Sequence, residues 1–156
     1  MNCCGIERIH IMTETILTQF AIASAMLVGC VTFHGIGLAS LNKALRSEAS
    51  IERLRNIEPL SPRGALFTLL VVLAIIVLHG LEIWAFALLY LVIDAVHTFE
   101  EALYFSTISY STVGYSDTHI VKDWRLLGAF ESILGMILLG WSTAFFFRML
   151  GRIDAH

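Results

Sequence analysis

Three long apolar stretches alternate with shorter polar ones along this chain. No Asp, Glu, Lys or Arg occurs between Glu14 and Lys43, and the run from Ile16 to Leu41 exceeds the roughly 20 residues a helix needs to cross a bilayer. Ala21-Ile-Ala23 and Ala23-Ser-Ala25 read as alternative signal-peptide cleavage sites. The apolar run continues well past them, so a retained first span is expected. A second run, Ala65 to Ile93, carries Glu82 as its one Asp, Glu, Lys or Arg, and at 1.5 Å per residue reaches roughly 43 Å, enough to cross with tilt. The third, beginning at Leu126, carries only Glu131 before Arg148 and ends in Phe145, Phe146 and Phe147, suited to an interfacial aromatic belt.

The segment between spans one and two is amphipathic. Ile51, Leu54 and Ile57 form one helical stripe among charged neighbours, predicting either a short helix lying on the membrane surface or a solvated linker. Pro59 and Pro62 are expected to end it and turn the chain into span two. Lys43, Arg46, Arg53, Arg55 and Arg63, with Arg148 and Arg152, account for seven of the ten basic residues; only Arg8, Lys122 and Arg125 lie on the other side. By the positive-inside bias the linker and C-terminus are cytoplasmic, while the N-terminus and the segment between spans two and three face outward.

That outer segment, Asp94 to Asp117, is too short and polar for a fourth span. Thr98 is a fitting helix cap, and Glu100 and Glu101 in the first turn complement the helix dipole. A half-membrane helix running to Ser111 and followed by extended backbone is the expected geometry. Irregular backbone at membrane depth is tolerated only where it is buried in protein or lines a watery cavity. A re-entrant hairpin that merely packs is the alternative.

Ala102-Leu103-Tyr104-Phe105-Ser106, then Thr112-Val113-Gly114-Tyr115-Ser116-Asp117, with Trp124 following, resemble the pore of prokaryotic potassium channels of the two-transmembrane class. Five of the six positions of that family's Thr-Val-Gly-Tyr-Gly-Asp motif match, within a span, pore helix, motif and span covering residues 65–150. The resemblance implies a homotetramer in which carbonyls of Thr112, Val113, Gly114 and Tyr115, with Ser116 at the outer end, replace the hydration shell of permeant K+. Tetramer closure would be head-to-tail around a fourfold axis. It further implies filter support from Asp117, to which Tyr104 offers a hydroxyl by register. Glu131, one and a half turns into the third span on the outer side, is read as lying behind the filter or at a subunit interface, in packing or bracing before ion coordination. Ile108 stands where some bacterial relatives carry a bracing glutamate.

Ser116 is the principal departure. It replaces a glycine that the family keeps in left-handed backbone, where a side chain costs about 1–2 kcal/mol. An altered outer site, with weaker selectivity or lower conductance, is the expected consequence. A non-conducting channel-like subunit or scaffold and a weakly selective sodium and potassium channel are the alternatives.

Ionisable groups inside a span are costly and so are functional candidates. His79 and Glu82 share a helix face, which allows either a pH-sensitive gate or a neutral hydrogen-bonded pair pinning span two to span three or to His34. Gly135 and Gly140 offer the third span a bend or close packing. Composition narrows what remains: 57% of residues are hydrophobic and 15% charged, the net charge is -3, and no basic stripe suggests nucleic acid. Cys3, Cys4 and Cys30 match neither a disulfide framework nor a zinc spacing, and no catalytic or metal-spaced constellation is legible.

The expected protein is therefore an all-α inner-membrane protein with lipids as surroundings, its copies as partners, and no cofactor or enzymatic activity. Residues 1–41 form an outward N-terminus and added span, 42–64 the cytoplasmic linker and 65–150 the pore domain. Within the last, the outer helix is 65–93, the pore helix 99–111, the filter 112–117 and the inner helix 126–150. No voltage-sensor arginine repeat is legible, and the tail after Arg148 is read as too short for a ligand-binding domain, so no gating stimulus is expected from this sequence.

Overall fold

The computed structural model describes residues 3–45, 62–114, 120–121 and 124–153. Among the described residues four helices follow one another: α1 (Cys3–Leu45), α2 (Pro62–Val92), α3 (Phe99–Tyr110) and α4 (Arg125–Ile153). Among the described residues there is no strand. Segments Ile16–Leu45, Gly64–Val92 and Arg125–Gly151 are long and apolar enough to cross a membrane. The protein is a multi-pass, all-helical membrane protein.

The faces of α2 show why a bilayer is required. Leu66, Leu69, Leu70, Leu73, Ile76, Val77, Leu81, Trp84 and Leu88 are exposed and recur at helical spacing, a stripe that only lipid would solvate favourably. Val71, Leu78, Glu82, Phe86 and Tyr90 occupy the opposite, buried stripe. Pro62 opens α2 instead of preceding it; the first helical position needs no intrahelical N–H, and the fixed proline φ suits it. Likewise α1 continues through Leu45, four residues into the segment read as linker, because nothing from Asn42 to Leu45 breaks a helix. The amphipathic stripe Ile51, Leu54, Ile57 lies outside the described residues.

The chain divides into two compact units. One comprises Met1–Cys30 and Ile83–Met136, so it holds α3 entire with the adjoining parts of the three long helices. Aromatic pairs join its elements: buried Phe105 of α3 meets buried Tyr90 edge-to-face at 5.2 Å, and nearer the surface Phe99 meets Trp84 at 5.6 Å and Phe20 of α1 meets Phe130 of α4 at 5.0 Å. Asp94, at φ +55°, turns the chain out of α2. Ala95 then donates its N–H to Tyr90 O and accepts from Val121, fastening the start of the segment between α2 and α4 to its end.

The second unit comprises Val31–Glu82 and Ile137–His156. Its interior is polar at the centre, where His34, His79, Glu82 and Ser142 are all buried. Gly37 admits Leu78, and Gly35 admits the Trp141 ring, drawing α1 against α2 and α4.

Candidate pore segment and buried polar clusters

Helix α3 is built as its sequence requires. The Thr98 side chain accepts the Glu101 N–H at 3.2 Å, and Glu100 and Glu101 lie in the first turn. Its 12 residues span about 18 Å, roughly half the hydrocarbon thickness of a bilayer. Ala102, Phe105, Ser106, Ile108, Ser109 and Tyr110 are buried, while Tyr104 lies on the exposed side.

Helix α3 stops one residue before Ser111, which caps it, and the backbone that follows is not extended. Thr112 takes φ +62° and donates its N–H to Ser109 O at 2.9 Å, a left-handed helix stop. Gly114, at φ +54°, turns its N–H back to Ile108 O at 3.0 Å. The correction has a physical reason: the carbonyls ending α3 need donors, and the nearest are these amides. A β-branched residue at positive φ is strained, so Thr112 holds a conformation that glycine adopts freely. Thr112, Val113 and Gly114 are exposed in the single chain. Tyr115, Ser116 and Asp117 lie outside the described residues, and with them the expected Tyr104–Asp117 contact.

Behind α3 stands Glu131, completely buried. It accepts a hydrogen bond from Tyr90 Oη at 2.6 Å and one from Ser106 Oγ at 2.5 Å. The same serine hydroxyl lies 2.9 Å from Ile83 O. One carboxylate thus joins α4 to both α2 and α3. Gly135, one turn further along α4, receives the Tyr110 carbonyl so closely that any Cβ there would overlap it. Gly140 faces open space in the single chain, and α4 runs unbroken past both glycines.

The other unit brings together residues far apart in sequence. His34 Nδ1 is 2.9 Å from Glu82 Oε1, and His79 Nδ1 is 3.4 Å from Glu82 Oε2. Ser142 Oγ lies 3.0 Å from Nε2 of His79 and 3.0 Å from Nε2 of His34. Trp141 packs beside His34 with ring centroids 5.5 Å apart. A cluster spaced for a metal was not legible in the sequence; the fold makes one from His34, His79 and Glu82.

Tyr90, Ser106 and Ser142 were missed. Hydroxyls are common in membrane helices, but Tyr90 lies two four-residue steps beyond Glu82, and Ser142 lies eleven residues beyond Glu131, each on the same buried stripe. That register was the available signal.

Residues 76–152 match the family model described as an ion channel. The match supports an ion channel in general terms and points to transport instead of enzymatic catalysis. It covers α3, the segment that follows it, most of α4 and the second half of α2, the parts that build the Glu131 site, and leaves α1 outside. No curated protein and no solved structure matches the chain.

Proposed function

We propose that the protein is a potassium-permeable channel, a homotetramer that passes monovalent cations through a filter of Thr112, Val113, Gly114 and Tyr115 with Ser116 at its outer end. One observation carries this reading. A half-membrane helix, α3, is capped at Thr98, clamped from behind by Glu131, and delivers Thr112-Val113-Gly114 at its C-terminus. A mere packing hairpin needs neither the buried carboxylate nor the exposed glycine at positive φ. Four copies would turn the exposed Thr112–Gly114 segments towards one axis, where carbonyls replace the water of a dehydrating cation. Charge bias supports a cytoplasmic C-terminus and an outward N-terminus.

A second reading has a specific observation in its favour. With the Gly114 N–H bonded to Ile108 O, the segment is curled and would need to unwind before its carbonyls formed a column. A non-conducting, channel-like subunit would retain that curl. Purified protein in liposomes distinguishes the two: potassium flux above that of empty vesicles, exceeding sodium flux under the same gradient, supports the channel, and none supports the subunit.

A further inference from the structure

Outside the pore segment, the most constrained chemistry in the molecule is the buried ring of His34, Glu82, His79 and Ser142. Four of its contacts, at 2.9, 3.4, 3.0 and 3.0 Å, link these side chains. Three are hydrogen bonds, and the 3.4 Å contact of His79 Nδ1 with Glu82 is at ion-pair distance. Ser142 Oγ is equidistant from both Nε2 atoms and has two lone pairs, so it suits two N–H donors. In that tautomer both Nδ1 lone pairs face the Glu82 carboxylate, the arrangement of donor atoms that a cation takes.

We propose that His34, His79 and Glu82 form a zinc-binding site, with Ser142 holding both imidazoles in the tautomer that presents Nδ1 to the metal. The donor set is two imidazole nitrogens and one carboxylate, a set zinc accepts and that hard, oxygen-seeking cations do not favour. Bond lengths of about 2.0–2.1 Å in a tetrahedron place ligand atoms roughly 3.3 Å apart. Glu82 oxygens at 2.9 and 3.4 Å from the two Nδ1 atoms bracket that value, and the three ligand atoms lie within 4.8 Å of one another. Ser142 supplies the outer-shell hydrogen bonds that orient metal-ligating histidines. A cleft of about 240 Å³, lined by Gly35, Asn42, Trp141 and Arg148, reaches the Trp141 ring that packs beside His34. The consequence is mechanical: a bound zinc would tie α1 to α2 through metal–ligand bonds.

The test uses tag-free, full-length protein in detergent, stripped by a chelator and titrated with zinc against a chromophoric competitor, with zinc-edge X-ray absorption on the loaded sample. One zinc per chain is expected, in a shell of nitrogen and oxygen at about 2.0–2.1 Å, with imidazole scattering. Ser142→Ala should weaken binding about 10–100-fold, the range for outer-shell partners, and Glu82→Gln or His34→Gln by more. The Cys3→Ser, Cys4→Ser double variant should bind as the parent does. Absence of stoichiometric zinc, sulfur in the shell, or equal affinity in Glu82→Gln and parent would overturn the site and leave a purely hydrogen-bonded ring. Because spectroscopy of the parent decides ligand identity, the proposal stays testable if a variant fails to fold.

Discussion

Ser106 of α3 donates to Glu131 of α4 across 2.5 Å, and the carboxylate is wholly buried. Tyr90 donates to its other oxygen. Deleting one hydroxyl leaves a buried acceptor short of a donor, which costs about 1–3 kcal/mol. Ser106→Ala and Tyr90→Phe should each lower the thermal midpoint of the purified protein by that equivalent. Because both serve one carboxylate, the double variant should depart from additivity by at least about 0.5 kcal/mol. Additive losses would show that the two hydroxyls act separately.

Gly135 and Gly140 lie on one helix yet should answer differently to the same substitution. A Cβ at Gly135 meets the Tyr110 carbonyl, which is backbone and cannot swing aside, so Gly135→Ala should cost about 1–3 kcal/mol as overpacking. It should also displace the end of α3 and reduce ion flux. At Gly140 nothing lies within 4 Å. Gly140→Ala should be neutral, or should gain up to about 1 kcal/mol of helix propensity in the monomer. Thermal unfolding of both variants checks the contrast; a loss at Gly140 larger than at Gly135 would locate a subunit contact there.

The α3 start offers a conservative test of local order. Thr98→Ala removes the side-chain oxygen that accepts the Glu101 N–H and should cost about 0.5–2 kcal/mol, whereas Thr98→Ser should retain most of it. Hydrogen exchange at the Glu101 amide reads the effect directly: exchange should quicken in the alanine variant and stay near the parent rate in serine.

The long helices were legible because bilayer thickness imposes a length and the apolar runs meet it, and Thr98 was legible because capping is local. Helix ends were less so. Pro62 was read as a terminator, though the same fixed φ makes it a good first residue, and hydropathy alone does not separate the two roles. The Glu131 clamp and the His34–His79–Glu82–Ser142 ring were only partly legible. Each acidic residue announced itself by its cost in a span, and His34 was among the partners read for the His79–Glu82 pair, but the hydroxyls of Tyr90, Ser106 and Ser142 carry no such cost. The curl at Thr112–Gly114 was not legible at all, since a motif read as filter implies extension while the orphan carbonyls of α3 demand donors.

That curl sharpens the test of Ser116. Thr112 and Gly114 both sit at positive φ, two residues apart, with only Gly114 suited to it. On the resemblance to potassium-channel pores, Ser116 stands where that family keeps a left-handed glycine, a position at which serine costs about 1–2 kcal/mol and glycine nothing. On the proposed channel reading, Ser116→Gly should raise potassium flux into liposomes and increase selectivity over sodium, measured as the shift in reversal potential in mixed ions. Thr112→Gly should relieve comparable strain but remove the hydroxyl offered to the innermost ion, so flux should not rise with it. Selectivity unchanged by Ser116→Gly would dissociate the serine from the filter's performance. A gain in flux from Thr112→Gly equal to that from Ser116→Gly would instead identify backbone strain, not the threonine oxygen, as what limits permeation.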